Sequence, residues 1–233
     1  MKTHRFFGDF NFTNDRLKIT DKALINQVKN VLRLGRGDRI ILADGKLNEV
    51  QAEITDCQKG FFEVRILARH KNQNEPVRKA ILYCSILKRE NFEWVVQKAT
   101  EVGVAEITPL ICHHTVKTGF KKGRLEKIIR GAAEQSGRGI LPELCKAVSF
   151  SEAVKQAENN SLNLFFDLSG ADLAAGAAKS APSVGLFIGP EGGWDDFEID
   201  LARQRGFKIV NLGKLTLRAE TAAVVAAYLS CNS

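Results

Sequence analysis

The stretch Gly189-Pro190-Glu191-Gly192-Gly193-Trp194 puts three glycines and a proline into five residues, directly after the apolar run Val184-Gly185-Leu186-Phe187-Ile188. Glycine has no Cβ, so such a loop can take positive φ and bring its N–H groups close to a ligand. A phosphate suits it poorly: the chain has neither G-x-x-x-x-G-K-[ST] nor G-x-G-x-x-G, and Glu191 would repel an anion there. A neutral or cationic ligand suits it better, and the plain alternative is a tight turn into a helix capped by Asp195 or Asp196. A second candidate is Leu212-Gly213 followed by Thr216-Leu217-Arg218-Ala219-Glu220-Thr221, just before the unbroken apolar run Ala222 to Leu229. Arg218 can offer donors to a developing oxyanion, or it can pair with Glu220 or Glu191 and shape the loop.

The five cysteines lie far apart and form no Cys-x-x-Cys pair, which predicts reduced, mostly buried thiols and no zinc framework. Cys112-His113-His114 is the one metal-like cluster. Consecutive residues at a strand end point to opposite sides, so no metal is expected there.

Both loops need strands to carry them. ILYCSIL (81–87), EITPLIC (106–112), SLNLFFDL, SVGLFIG and FKIVNLG read as buried strands. Between them lie the helical FEWVVQKATEVGV (92–104), a long helix over 123–137 and DDFEIDLARQRG. This alternation predicts right-handed crossovers and a parallel sheet covered on both faces, with ligands bound beyond the strands' carboxyl ends. A helix that is apolar all round, as after Arg218, must be covered by the sheet and its loops or by a second subunit. Earlier in the chain, RIILADG, EVQAEITDCQKG and FFEVRILAR read as short antiparallel strands. Thr20 is placed to cap a helix from Asp21 to Leu34, with Leu24, Val28, Val31 and Leu32 on one face and Gly35 ending it. The polar HKNQNEPVRK, with Pro76, marks the boundary, predicting a small β domain over 1–72 and an α/β domain over 73–233.

The net charge is +7 at pH 7. Residues 1–79 hold 16 Lys and Arg against 10 Asp and Glu, and a further basic patch comprises Lys117, Lys121, Lys122, Arg124, Lys127 and Arg130. The pattern favours a polyanionic partner, against the alternative of a merely solvated surface. The apolar runs fall short of the roughly 18 to 20 residues a bilayer crossing needs, and the polar N-terminal segment lacks the apolar centre of a signal peptide. A cytoplasmic protein is expected.

Six motifs stand in order along nearly the whole chain: Arg5-Phe6-Phe7; Val31-Leu32-Arg33 with Gly37-Asp38; Gln97-Lys98-Ala99-Thr100-Glu101-Val102-Gly103-Val104; Ala132-Ala133-Glu134-Gln135-Ser136-Gly137-Arg138; and the two loops above. Together they resemble the small-subunit (16S) rRNA uridine N3-methyltransferases of the RsmE type. The resemblance implies a PUA-like β-barrel domain for RNA, followed by a SPOUT-type α/β domain with a C-terminal trefoil knot, working as a homodimer through that knot. It implies S-adenosylmethionine held by Gly189, Pro190, Glu191, Gly192, Gly193, Leu212, Gly213, Leu217, Arg218, Glu220 and Thr221. It implies as target N3 of a uridine in the small subunit, which would have to be unpaired or flipped out. Arg218 and Glu134 are the catalytic candidates, Glu134 standing as either a base or a helix-stabilising group. Arg5, Arg33, Lys98, Lys121, Lys122, Arg124 and Arg138 are the RNA candidates, Lys98 alternatively a surface partner of Glu101. Phe6 or Phe7 is a stacking candidate, with core the favoured reading for at least one of them.

The chain departs from the pattern at Gln27, where many members carry His, at His113-His114, where Glu-Arg is common, and at Thr216 before Leu217-Arg218. Arg124 is the candidate substitute for the missing basic contact. Rival readings are a non-catalytic RNA-binding protein of this fold and an enzyme methylating another rRNA atom.

Overall fold

A computed structural model describes residues 3–116, 118–174 and 176–232. Lys117, counted above in the basic patch, lies outside them. The chain forms two compact units, one of residues up to Glu75 together with Ala133–Ile140, the other of Pro76–Ala132 together with residues from Leu141 onward.

The first unit is built on five strands: β1 (His4–Phe7), β2 (Arg16–Ile19), β3 (Arg39–Ala43), β4 (Asn48–Gln58) and β5 (Phe61–Lys71). They stand in the order β1-β3-β4-β5-β2, with β1 parallel to β3 and the other pairs antiparallel. Alternation sets the inward face: Ile40 and Leu42 of β3 and Phe62, Val64 and Ile66 of β5 are buried. They pack with Phe6, Val50 and Ile54, and with Leu24 and Val28 of the helical segment.

That segment differs from expectation. The helix α1 spans only Lys22–Asn26 and passes into a π-helical turn over Gln27–Val31. Asp21, not Thr20, caps it, its carboxylate accepting from the Leu24 N–H at 2.7 Å. The wider turn rotates the chain off the 3.6-residue stripe, which leaves Val31 exposed although Leu24 and Val28 are buried.

The second unit carries a parallel sheet of seven strands: β6 (Lys79–Ser85), β7 (Glu106–Ile111), β8 (Glu143–Leu144), β9 (Val148–Ser149), β10 (Leu162–Asp172), β11 (Ser183–Ile188) and β12 (Lys208–Asn211). The order is β12-β10-β11-β6-β7-β8, and β9 also pairs with β7. Among the described residues, α2 (Arg89–Val102), α3 (Lys122–Ser136), α4 (Phe150–Gln156) and α5 (Asp196–Gln204) lie between strands, and α6 (Ala219–Cys231) follows the last of them. The last residues of α3, from Ala133, belong to the first unit.

Near-continuous apolar strands such as β6 follow from burial on both faces. On one face Leu82, Leu164 and Leu186 meet α2 and α6 through Val95, Val96, Ala223 and Ala227. On the other, Tyr83, Phe165 and Phe187 meet Phe150, Ala153, Ala202 and Phe207. Each fully buried phenylalanine stabilises by about 2–3 kcal/mol relative to exposure. Gly103 ends α2 at φ 110°, donating its N–H to the carbonyls of Ala99 and Thr100.

Candidate functional site

The carboxyl ends of β10, β11 and β12 open onto a cleft of ≈ 740 Å³, a size suited to a small ligand. Because β10 lies between the other two, three loops meet there, not the two expected from sequence.

The loop after β11 is anchored at its far end. The Trp194 indole is buried against Phe150 and Phe165, and its Nε1 donates to the Phe166 carbonyl at 3.0 Å. A Cβ on Gly189 would come within 3.0 Å of that indole. Gly193, at φ 77°, closes the turn by donating its N–H to the Pro190 carbonyl at 2.9 Å. The Glu191 carboxylate accepts from the backbone N–H of Lys88 at 3.1 Å, tying the loop to the start of α2. Asp195 caps α5, and Glu198 completes a capping box.

The loop after β12 is set by Asn211, whose side-chain oxygen accepts from the Gly213 N–H (2.9 Å) while its amide donates to the Gly170 carbonyl (2.7 Å). Gly213 takes φ 108°. Arg218 precedes α6 as its N-cap residue without a side-chain capping bond. Its side chain is 86 % exposed at the cleft, whereas that of Glu220 is 13 % exposed; the closest approach of the two charges is 4.0 Å. That pair is too exposed on one side and too long to lock the arginine.

The third loop is an excursion within β10. Phe166 and Ala171 both stand opposite Val210 of β12, so residues 167–170 leave the ladder. Asp167 stabilises the excursion by accepting from the N–H and hydroxyl of Ser169, at 2.8 and 2.6 Å. Phe166, Asp167 and Leu168 line the cleft, as do Lys88, Asn91 and Asn211. None of these six was picked out from sequence. The available signal was the position of FFDL at the end of a central parallel strand.

Gly189, Pro190, Glu191, Gly192, Gly193, Leu212, Leu217, Arg218 and Glu220 all line the cleft; Gly213 and Thr221 are not in its lining. Its lining includes the apolar Phe166, Ile188, Leu212, Leu217 and Ala222 together with the carboxylate residues Asp167, Glu191 and Glu220. That combination fits a ligand with a flat apolar part and a positive charge. Cys84, at the end of β6, is fully buried, and burial together with the charges of Cys112, Glu191 and Glu220 pushes its thiol pKa up. It is a packing residue, not a nucleophile.

The other candidates fall elsewhere. Glu134 belongs to the first unit, where it accepts from the Phe7 N–H and from the Gln27 amide, each at 3.2 Å. Gln27, where many family members carry His, is thus a donor that holds this carboxylate. Phe6 and Phe7 are both core.

Two of the RNA candidates are corrected. Arg5 is buried in an ion pair with Glu49, which also meets His70 (2.6 Å) and the Asn72 amide (3.0 Å). Arg138 is 5 % exposed and forks onto Glu75, which also accepts from the Gly139 and Ile140 N–H groups. Guanidinium groups committed in this way have no free face for a phosphate. Lys98 pairs with Glu101 at 2.9 Å, and Lys122 stands 3.8 Å from Glu126. Arg124 grips Glu93, whose carboxyl is held below the usual range chiefly by that bond. Arg33 and Lys121 are exposed, and Arg33 lies at φ 56°.

Comparison with known proteins agrees with this arrangement. Residues 73–230 match the family described as RNA methyltransferase domain, and residues 28–67 match the RNA methyltransferase PUA domain. The chain is similar to Ribosomal RNA small subunit methyltransferase E of Mesomycoplasma hyopneumoniae, 34% identical over 70% of this chain and 73% of that protein. Its fold is similar to a Legionella pneumophila methyltransferase solved with bound SAM (TM-score 0.90, 33% identity, covering 99% of this chain and 97% of that one). It is also similar to the Ribosomal RNA small subunit methyltransferase E of Neisseria gonorrhoeae bound to S-adenosyl methionine (TM-score 0.87, 30% identity, 97% and 95% covered). An α/β unit with this three-loop cleft, a β unit matching the PUA model and relatives along nearly the full chain lead to one conclusion: the protein belongs to the ribosomal RNA small subunit methyltransferase E family of RNA methyltransferases.

Proposed function

We propose that the chain is an S-adenosylmethionine-dependent methyltransferase that methylates N3 of a uridine in 16S rRNA of the small ribosomal subunit. The observation that carries this is the cleft itself, lined by apolar side chains, three carboxylate residues and one exposed arginine, in a chain of this family. S-adenosylmethionine supplies a methyl group on a positively charged sulfur. Phe166, Ile188 and Leu212 suit its adenine, and the carboxylates of the lining favour its cationic end.

The chain's own task is then to place the base and handle its proton. Arg218 donates to a uracil carbonyl oxygen and stabilises the anion left when N3 loses its proton. Leu168 and Leu215, both largely exposed at the cleft, cover the base and keep water out. Glu191 keeps the Gly189–Gly193 loop closed on the ligand through the Lys88 N–H.

Residues 1–72 are the proposed RNA-binding domain and 73–233 the proposed catalytic domain, the latter carrying a SPOUT-type trefoil knot. Arg33, Arg36 and Arg39 are exposed and, among the described residues, form no ion pair, which supports a phosphate-contacting strip. A homodimer is proposed through α6, whose Tyr228 and Leu229 are exposed while Ala223, Ala226, Ala227 and Ser230 are buried. Among the described residues no helix is long and apolar enough to cross a membrane, and action in the cytoplasm is part of the proposal.

The test uses small subunits from a strain lacking the enzyme, incubated with the protein and labelled S-adenosylmethionine, with the product nucleoside identified by mass spectrometry. One N3-methyluridine in 16S rRNA is expected. Label on a ribose or a guanine, or no transfer, would overturn the reading.

A further inference from the structure

The histidines expected to diverge do not. Strand β7 ends at Ile111, and the next four residues form a turn, in which the Thr115 N–H donates to the Cys112 carbonyl (3.0 Å) and its hydroxyl accepts from the Cys112 N–H (2.8 Å). The turn places the two imidazole rings side by side, 4.8 Å between centroids, and turns both toward the start of α5. His113, His114 and Asp195 each bring one ligand atom within 4.8 Å of the others. The His113 Nδ1 to Asp195 Oδ2 separation is 3.3 Å, which is the spacing of about 3.3 Å between two ligands on a tetrahedral zinc with 2.0–2.1 Å bonds.

The backbone that carries these groups is held by one buried carboxylate. Glu198 accepts from the His113 N–H through Oε1 and from the Asp195 N–H through Oε2, each at 3.0 Å. The surrounding bonds also match those that orient metal ligands. His114 Nδ1 meets the Gly193 carbonyl at 3.1 Å, so it carries the ring proton and leaves Nε2 with its lone pair. Asp195 spends Oδ1 on the Phe197 N–H (3.0 Å) and keeps Oδ2 for another partner.

We propose that His113, His114 and Asp195 bind one borderline divalent ion of the zinc class, clipping the turn after β7 to the outer end of the Gly189–Gly193 loop. Two imidazoles and one carboxylate select zinc, nickel or copper over magnesium and calcium. Water fills the remaining coordination position. The ion lies outside the cleft lining and has no part in methyl transfer; its effect is on the loop, because Asp195 is a ligand and the Gly193 carbonyl is bonded to the ligand His114.

Chelator-treated full-length protein is titrated with Zn²⁺ alone by calorimetry, with no cofactor or RNA present, so the outcome is independent of the proposed activity. Saturable binding of one ion is expected, weakened at least about tenfold in a His113→Ala/His114→Ala variant. Asp195→Asn should weaken it too while keeping the helix cap, since asparagine caps as well as aspartate. Unchanged melting temperatures establish that the variants are folded; a variant that melts early is replaced by the single substitution His113→Gln. Co²⁺ substitution should give a ligand-field spectrum without thiolate charge transfer, and hydrogen exchange across 189–196 should slow when zinc is added. No saturable binding, equal binding by the variants, or a thiolate band from the cysteines would overturn the site.

Discussion

Arg33 stands in the left-handed region at φ 56°, just past the C-cap Leu32 of a π-helical turn, where a residue with a Cβ costs about 1–2 kcal/mol. Glycine would relieve that strain, so Arg33→Gly should raise the melting temperature. If the guanidinium contacts a phosphate, the same change should weaken 16S rRNA binding and flatten its salt dependence by somewhat under one unit of slope. A less stable variant, or one with the parental slope in a salt titration, contradicts this pair of effects. Arg218→Ala should lower turnover by on the order of 10²–10³ while leaving the affinity for S-adenosylhomocysteine nearly unchanged. Arg218→Lys should not restore it, because a lysine offers a point charge and not a fork. Wild-type turnover in either variant refutes the role. At this scale the two glycine-bearing loops were legible because backbone demands leave residue types behind. The buried ion pairs of Arg5 and Arg138 were not: their partners lie 44 and 63 residues away, and a basic residue looks the same whether it meets a carboxylate or a phosphate.

Among the elements, the long strands and helices were readable from apolar runs and turn residues. The features that shape the cleft were not, because they break periodicity. The excursion of residues 167–170 out of β10 is one, invisible in LNLFFDLSGAD because the pairing with Val210 on both sides of it is a tertiary fact. The two-residue strands β8 and β9 are too short to carry a pattern. The excursion returns at Gly170, where a Cβ would lie 2.5 Å from the Val210 nitrogen and 2.6 Å from the Ile209 carbonyl carbon. Both are backbone atoms of the neighbouring strand and cannot swing aside. Gly170→Ala must therefore part β10 from β12, costing about 1–3 kcal/mol. Thermal unfolding should show a loss of roughly 2–10 °C for a chain of this size. Asn211 binds the Gly170 carbonyl and positions Gly213, so cofactor affinity should fall as well. A variant with parental stability and affinity would show that the excursion adjusts freely.

For the molecule as a whole, sequence predicted two units of different texture, yet the segment Ala133–Ile140 joins the first unit from across the chain, through bonds such as that of Asn72 to the Gly137 carbonyl. Sequence also flagged α6 as apolar on every side, and half of that puzzle is answered within the chain. Ala223, Ala226 and Ala227 pack against the sheet and α2. Tyr228 and Leu229 remain 58% and 42% exposed on the opposite side. Leu229 follows Ala222 and Val225 at helical spacing, and Ala222 lines the cleft, so the uncovered face begins at the proposed cofactor site. A second copy seated there would bury this face and bear on the cleft at the same time. Leu229→Asp places a charge in that contact, where desolvation costs several kcal/mol, but leaves the buried alanines untouched. Sedimentation equilibrium should then move from twice the chain mass to 25.7 kDa, with unchanged helix content and a parallel loss of methyl transfer. A monomeric parent protein, or a variant that stays dimeric, would rule out α6 as the contact. A monomer with full activity would separate dimerisation from the cleft.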